Sequence, residues 1–452
     1  MKKSRFTITT THYILLSFLT AILVGSILLS LPISSASGRA TSFIDALFTA
    51  TTATCVTGLV VVPTFSAWSL FGQIVILLLI QIGGLGIITI MASITVFLHR
   101  RMGLADRLLL QDAFNLNTLS GLEVFVKKVI KGTLLIEGLG ACLYMTVFVP
   151  QFGVRGIWIS AFTSISAFCN AGIDIIAENS LCDYALNPII NITTCLLIIL
   201  GGLGYIVWWD LIRVSKERRT RKAPFWRTLT LHSKIVISAT IIFIIAGGIL
   251  ILLFEYKNPN TIGEFSLLEK IEVALFQSVT TRTAGFATIP QENLTNASAI
   301  ICLLLMFIGG SPVGTAGGIK TVTFVVLVAS AFATIRSQKD VNLFGRTLPK
   351  EAVGKAAAVT CMSFTIMFVS TILLSAVTNA NALDIMYETV SATATVGLTR
   401  NLTPILNAHG KLIVIATMYL GRVGPISLAV AFNFKREKKN IIKNPTEEIS
   451  VG

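Results

Sequence analysis

The stretch Thr54-Cys55-Val56-Thr57-Gly58 decides the fold of this chain, because three degraded copies of it follow at an almost constant interval. Each copy ends a short amphipathic run and closes on a single glycine. The four glycines are separated by 114, 113 and 112 residues, and this period divides the 452-residue chain into four repeated units. The later copies are Phe168-Cys169-Asn170-Ala171-Gly172, Thr281-Arg282-Thr283-Ala284-Gly285 and Thr393-Ala394-Thr395-Val396-Gly397.

The composition is that of a protein that crosses a membrane several times. Hydrophobic residues make up 54% of the chain, charged residues make up 13%, and the mean hydropathy is +0.80. This balance excludes an ordinary soluble domain. The apolar run 13–31 follows a basic N-terminus, but no small-residue cleavage site and soluble domain follow it, so we expect a spanning helix rather than a signal peptide.

The net charge of +14 would suggest a nucleic-acid partner in a soluble protein, but the positions of the charges indicate membrane topology instead. The basic clusters all fall on one side of the membrane if the four repeated loops face the other side. The positive-inside rule then predicts that both termini are cytoplasmic. Because topology accounts for the basic clusters, we expect no nucleic-acid partner. A cytoplasmic protein docking on the same clusters is compatible with this prediction. The clusters are Lys2 to Arg5, Arg100 to Arg107, Lys127 to Lys131, Arg213 to Lys222, Arg336 to Lys355, and Lys435 to Lys439.

Each unit reads as an outer helix, a short helix, a loop and a return helix, which predicts an all-α fold. The short helices are too short to span a bilayer, so we expect re-entrant segments. The expected units are 11–125, 126–228, 229–345 and 346–435, followed by a cytoplasmic tail at 436–452. The expected outer helices are 13–31, 129–149, 235–254 and 356–377, and the expected short helices are 43–54, 158–168, 267–280 and 382–392. The expected return helices are 68–98, 188–212, about 297–332 and 411–432.

The four loops must share one interior, because irregular backbone at membrane depth survives only where protein or water surrounds it. Each short helix would point its partially negative C-terminus at that interior, which favours a cation. The loops are similar to the Thr-Val-Gly-Tyr-Gly filter of potassium channels, reduced to one glycine each, and backbone carbonyls there replace the hydration shell of the ion. The sequence therefore predicts that the four five-residue copies form a selectivity filter for a monovalent cation. Because all four copies lie in one chain, a single chain can close the ring around the pore.

The return segment of the third unit contains a glycine-rich stretch that breaks a helix. A phosphate-binding loop is excluded because Ile319 stands where the motif requires glycine before Lys320-Thr321. We expect a flexible intramembrane loop below the filter that obstructs the pore, and a packing kink is the alternative. The expected gate residues are Gly309, Gly310, Ser311, Pro312, Gly314, Thr315, Ala316, Gly317, Gly318 and Lys320.

The other return segments carry related glycine motifs. Gly83-Gly84-Leu85-Gly86 and Gly201-Gly202-Leu203-Gly204 are also typical of close helix packing. The fourth motif contains Arg422, whose charge costs about 2.5–3.5 kcal/mol at the centre of a spanning helix. We expect Arg422 to belong to the gate, either as a positive charge that opposes cations or by holding the glycine-rich loop. A purely structural arginine, paired with a carbonyl or an acid, is the alternative.

The fourfold pattern, the single filter glycines, the glycine-rich third return segment and the mid-membrane Gly421-Arg422 resemble the Trk/Ktr/HKT family of potassium transporters over residues 10–435. The short N-terminus is similar to the bacterial Ktr-type membrane subunit (KtrB-like). The resemblance implies a homodimer in the bacterial cell membrane with one pore per protomer. It also implies a cytoplasmic ring of KtrA-like regulatory subunits, with ATP or ADP bound to that partner only.

Within this resemblance, Gly58 fits the potassium-selective members, because members with serine at that position tend toward sodium. Phe168 and Arg282 depart from the family pattern. We therefore expect K⁺ uptake through the filter carbonyls, with Na⁺ dependence left open and no catalytic residue. A coupled Na⁺/K⁺ or H⁺/K⁺ symporter is the alternative, although its repeats would usually be inverted. A membrane scaffold without transport gives no reason for four periodic glycines.

Overall fold

The computed structural model describes residues 10–86, 122–221 and 224–424, together with 89, 90, 92, 93, 95 and 103. Apart from one small hairpin, the regular structure in this part of the chain is helical, which confirms the predicted all-α class. The predicted tail 436–452 lies outside the described residues.

Four long outer helices form the periphery. Their lipid-facing positions are apolar and exposed, as at Leu135 and Leu253. In the described part of the chain, these four helices are long and apolar enough to cross a membrane, and a bent pair in unit two would make a fifth crossing. The second outer helix starts before the predicted unit boundary at 125/126. The outer helices are Thr10–Ser30, Leu122–Phe152, Leu231–Glu255 and Lys350–Val377.

Four short helices lie inside this periphery and lead into the repeated loops. The third one begins where Ser266 and Glu269 form a reciprocal capping box, which satisfies backbone donors that helical bonds leave free. Their last turns are buried, so the loops that follow start in the interior of the protein. The short helices are Phe43–Cys55, Val154–Phe168, Leu267–Thr280 and Ala382–Ala394.

The return helices are broken at glycines, and the prediction of one continuous helix over 188–212 is wrong. That segment forms Pro188–Leu203 and Tyr205–Arg221, with a bend of 95° between them. The break falls at Gly204, whose φ of +86° is accessible to glycine and costly for other residues. The first and fourth return helices, Leu70–Leu85 and Ala408–Val423, end in the same way at Gly86 and Gly424, with φ of +83° and +90°.

The third return segment consists of two helices, Asn296–Phe307 and Thr321–Ile335, joined by a non-helical stretch that we call the glycine-rich loop (residues 308–320). A parallel bridge between Ile308 and Ile319 closes its base. A hairpin of strands Asn342–Leu343 and Arg346–Thr347 follows. The remaining short elements are helices Thr64–Ala67 and Phe225–Thr228 and 3₁₀ turns Pro32–Ser34, Cys182–Tyr184, Gln291–Asn293 and Thr403–Ile405.

The units contact each other in chain order around a common centre, and the fourth contacts the first. Polar contacts link each neighbouring pair. From the pair of units one and two round to the pair of four and one, they are Trp158 to Gln73 (2.9 Å), Asn191 to Glu272 (2.8 Å), Tyr387 to Gln291 (3.0 Å) and Lys411 to Asp45 (2.6 Å). One chain therefore closes the circle.

Candidate functional site: a ring of glycines and the loop beneath it

The last glycines of the four repeated copies meet in one ring, which we call the glycine ring (Gly58, Gly172, Gly285 and Gly397). Each has positive φ, between +62° and +99°. A Cβ added to any of them would overlap the carbonyl oxygen before the glycine of the next unit, so no side chain fits. In order round the ring, these oxygens belong to Ala171, Ala284, Val396 and Thr57, the first three lying 2.5 Å from the added Cβ.

The backbone before each glycine alternates in handedness. The residue two positions earlier has positive φ in every copy, and the residue between the two does not. This alternation turns successive carbonyls to one side of the chain, and carbonyl rows of this kind coordinate K⁺ in channel filters. The residues with positive φ are Val56 (+55°), Asn170 (+58°), Thr283 (+66°) and Thr395 (+51°).

Hydroxyl groups in the short helices hold the repeated loops in this conformation, and the sequence reasoning missed them. Thr52 Oγ1 accepts from the amide of Gly58 at 2.9 Å, and Ser391 Oγ accepts from that of Gly397 at 3.0 Å. In the two middle loops, Ser166 Oγ accepts from the amide of Ile173, and Thr280 Oγ1 donates to the carbonyl of Phe286. Thr52, Ser166, Thr280 and Ser391 recur at a nearly constant spacing along the chain, and this spacing could have identified them from the sequence.

An outer cavity of about 330 Å³ opens above the glycine ring and is lined by all four of its glycines. Three carboxylates from loops line it as well, namely Asp174, Glu178 and Glu292. Burial raises the pKa of the Asp174 carboxyl to about 6. A concave site lined by acidic groups concentrates cations, and sequence reasoning did not single out these residues.

The glycine-rich loop packs directly against the copies in units two and three. Thr315 Oγ1 donates to the carbonyl of Phe168 and to Oδ1 of Asn170, both at 3.0 Å. The amide of Gly317 donates to Thr283 Oγ1 at 3.1 Å. A Cβ added to Gly317 would overlap the hydroxyl of Thr395, so no side chain fits at this position. The predicted gate residues therefore lie next to the predicted filter residues.

The break in the second return helix supplies acceptors for this loop. A helix leaves its last carbonyls without intrahelical partners. Here the carbonyl of Gly202 accepts from the amide of Ser311 at 2.9 Å, and that of Gly201 accepts from the amide of Thr315 at 3.1 Å. The glycine motif of unit two therefore provides hydrogen-bond acceptors for the loop and also allows close packing, since Gly201 lies against the carbonyl of Phe168.

Arg422 joins the loop to the first unit. Its Nη1 donates to the carbonyl of Thr315 at 2.7 Å, and its Nη2 donates to the carbonyl of Gly83 at 2.6 Å. Gly83 is in the last turn of the first return helix, so its carbonyl is free for the same reason as those of unit two. Lys320 donates to the carbonyl of Ala316 at 2.6 Å, within the loop itself.

The two departures from the family pattern leave the ring unobstructed, because both side chains point away from it. Phe168 is fully buried, with its ring centroid 5.7 Å from that of Trp208. The Arg282 guanidinium lies 6.0 Å from the ring centroid of Phe243, on the outer helix of its own unit. Only the backbone of these two residues takes part in the loops.

The groups that converge at this site suit an alkali cation rather than a transition metal. They are backbone carbonyls and hydroxyls, which are hard oxygen donors. Among the described residues, no group of three His, Cys, Asp or Glu side chains could hold a metal ion.

Comparisons with known proteins agree with this arrangement. The sequence model of the TrkH family, described as a cation transport protein, matches residues 3–444. The chain is 38% identical to the Ktr system potassium uptake protein B of Bacillus subtilis, covering 97% of this chain and 95% of that protein. It is 36% identical to the potassium/sodium uptake protein NtpJ of Enterococcus hirae, covering 100% and 99% of the two chains.

The fold agrees with a solved structure as well. The crystal structure of the potassium transporter TrkH from Vibrio parahaemolyticus superposes with a TM-score of 0.74, at 17% identity, over 95% of this chain and 86% of that chain. These relatives are transporters and not enzymes, as predicted. The resemblance found in the sequence is confirmed: the chain belongs to the TrkH family of cation transport proteins.

Proposed function

We propose that this protein is the potassium-translocating membrane subunit of a bacterial K⁺ uptake system and that the four five-residue copies form its selectivity filter. The observation that carries the proposal is the closed glycine ring, in which the glycine of each unit lies against a carbonyl of the next unit. The similar potassium uptake protein of Bacillus subtilis and potassium/sodium uptake protein of Enterococcus hirae support potassium as the cargo.

The ring selects by replacing water with carbonyl oxygens. A K⁺ ion that enters the ring loses its hydration water, and four inward carbonyls replace the lost oxygen contacts. The conformational cost is small because the glycines and the hydroxyls of the short helices already hold the backbone in the required conformation. The outer cavity with Asp174, Glu178 and Glu292 concentrates cations before entry. Permeation then follows the electrochemical gradient of the ion and needs no covalent step.

The glycine-rich loop and Arg422 form the gate beneath the filter. The loop bonds to two filter copies, and Arg422 fixes it to unit one through two carbonyls. Opening requires these bonds to break together, so a partner that pulls on the helices flanking the loop controls conduction. We assign that control to a cytoplasmic ring of KtrA-like nucleotide-binding subunits, which carry the ATP or ADP.

The assembly follows from the same family. We propose a homodimer in the bacterial cell membrane, with both termini cytoplasmic and one pore within each protomer. We propose the units 11–121, 122–228, 229–345 and 346–435, in which unit two starts at Leu122, where its outer helix begins, instead of at the expected residue 126.

Coupled Na⁺/K⁺ or H⁺/K⁺ symport is the second candidate function, and the potassium/sodium uptake protein NtpJ is the relative that favours it. Purified protein in liposomes separates the two. In a K⁺-loaded vesicle, tracer Rb⁺ uptake should proceed without Na⁺ or a pH gradient if the protein is channel-like. Uptake that requires Na⁺ or a proton gradient would establish the symporter, and absence of K⁺ or Rb⁺ uptake under every gradient would reject the proposed function.

A further inference from the structure

Arg282 is buried in the membrane interior without a countercharge. Only 7% of its surface is exposed, and its Nε has no hydrogen-bond partner. None of the ion pairs among the described residues includes Arg282. An arginine at this depth is costly and is normally paired, so its open donors require a reason.

The position of Arg282 relative to the glycine-rich loop provides that reason. A small cleft between units two and three is lined by Arg282, by Thr240 of the outer helix and by Gly310, at the entrance of the loop. The hydroxyl of Thr240 is also without a partner. On its other side, the guanidinium faces Phe243, whose ring packs edge-on at 5.6 Å against Phe324 in the helix that leaves the loop. Arg282 therefore lies beside the start of the loop and is linked through Phe243 to the helix that follows the loop.

Opening of the loop would free carbonyl groups beside this arginine. In the described structure, the carbonyl of Gly202, a residue that lines the same cleft as Arg282, accepts from the amide of Ser311 at 2.9 Å. Withdrawal of the loop breaks its bonds to Gly201, Gly202 and Arg422. Carbonyls left bare in a low-dielectric interior must find donors.

We propose that Arg282 is the positioning residue of the open gate, whose guanidinium bonds the carbonyl of Gly202 in the shared cleft once the glycine-rich loop leaves the pore. This inference rests on the proposed function. The two arginines then act in opposite directions: Arg422 holds the loop under the filter, and Arg282 stabilises unit two after the loop has left.

The test compares Arg282→Met in two backgrounds, the intact chain and a chain lacking residues 311–316, by K⁺-driven Rb⁺ uptake in liposomes. In the intact chain, Met should lower flux about tenfold, which corresponds to the loss of one charge-assisted hydrogen bond in the open state. In the loop deletion, the same substitution should leave flux unchanged, because no closed state then competes with the open one. Arg282→Lys should lie between arginine and methionine, since it keeps the charge and loses the planar donors.

Arg155→Gln is the matched control, because that exposed arginine also lies over a phenylalanine ring, at 5.2 Å, and should leave flux unchanged. Three results would overturn the inference: higher flux in Arg282→Met, which means that the charge repels ions in the filter; unchanged flux; or an equal loss in both backgrounds, which means a structural role. If deletion of residues 311–316 does not itself raise flux, the proposed gate fails and the inference falls with it. A correctly folded protein is verified in each case by its elution as the native oligomer.

Discussion

Arg422 donates to the carbonyl of Thr315 at 2.7 Å and thereby ties the fourth unit to the loop of the third. Its second donor reaches Gly83 of the first unit. The arginine therefore uses the two ends of its planar fork to hold backbone carbonyls of two different units. For the proposed gate, this geometry favours a loop held by hydrogen bonds over a barrier that acts through positive charge alone.

The first prediction concerns this pin. Arg422→Ala should raise K⁺ flux about tenfold or more, because the charge-assisted hydrogen bond to the closed loop is lost together with the bond that anchors the arginine to Gly83. Arg422→Lys should restore low flux only in part, since an ammonium group cannot bridge both carbonyls with the same geometry. Tracer uptake in liposomes measures both. Loss of transport in a folded Arg422→Ala protein would show that the arginine is needed for conduction and is not a gate.

The second prediction concerns selectivity at the glycine ring. Gly58→Ser should reduce the preference for K⁺ over Na⁺, because its Cβ would lie 2.5 Å from the carbonyl oxygen of Ala171 at a φ of +96°. The measurement is competition of Na⁺ with Rb⁺ uptake. Gly138→Ser is the control, since nothing lies within 4 Å of a Cβ there and the preference should persist. Wild-type selectivity in Gly58→Ser would remove Gly58 from the filter.

The third prediction concerns the glycine-rich loop. Deleting residues 311–316 removes the amides of Ser311 and Thr315 that bond to unit two, as well as the carbonyl that Arg422 holds. K⁺ flux should rise and should lose its dependence on a cytoplasmic regulatory partner. Reconstitution with and without that partner provides the measurement. A folded deletion protein with unchanged or abolished flux speaks against a gate at this position.

The fourth prediction concerns external pH. Burial raises the pKa of the Asp174 carboxyl to about 6, so the group is negative above this pH and neutral below it. The negative form attracts cations to the outer cavity, and K⁺ uptake should therefore fall several-fold as external pH decreases from 7 to 5. Asp174→Asn should show the low flux at both pH values. A wild-type pH profile in Asp174→Asn would assign the titration to another group. Glu178→Gln, at an exposed residue of the same cavity, is the control.

Sequence reasoning located the short helices well because their ends carry local signals. The third one, Leu267–Thr280, agrees with its expected bounds, since Ser266 and Glu269 cap its start and the repeated motif follows its end. The order of the units could also be predicted from the repeat, and the helix-breaking composition of residues 309–320 predicted the non-helical loop that lies beside the repeated copies. Phe168 and Arg282 raised a question about the pore lining, and their side chains prove to point away from the ring.

The breaks in the return helices could not be predicted in the same way. Gly-Gly-Leu-Gly is compatible with a straight, closely packed helix and with a helix end, and local propensity does not choose between them. The choice is made by tertiary contacts. The carbonyls of Gly201 and Gly202 gain partners in a loop more than 100 residues later, and Gly83 gains one in the fourth unit. The carboxylates around the outer cavity were missed because they come from loops without a repeated motif.

Closure of the glycine ring has a consequence for how this protein is made. Three of its four contacts join units that are adjacent in the chain, but the last one joins Gly397 to Thr57, from opposite ends of the chain. Pairings at such high contact order form late, because a long chain loses much entropy when its ends meet. A ribosome that stops early releases a chain with hydrophobic helices but no complete glycine ring. The ring is thus closed only when the final quarter of the chain has been inserted.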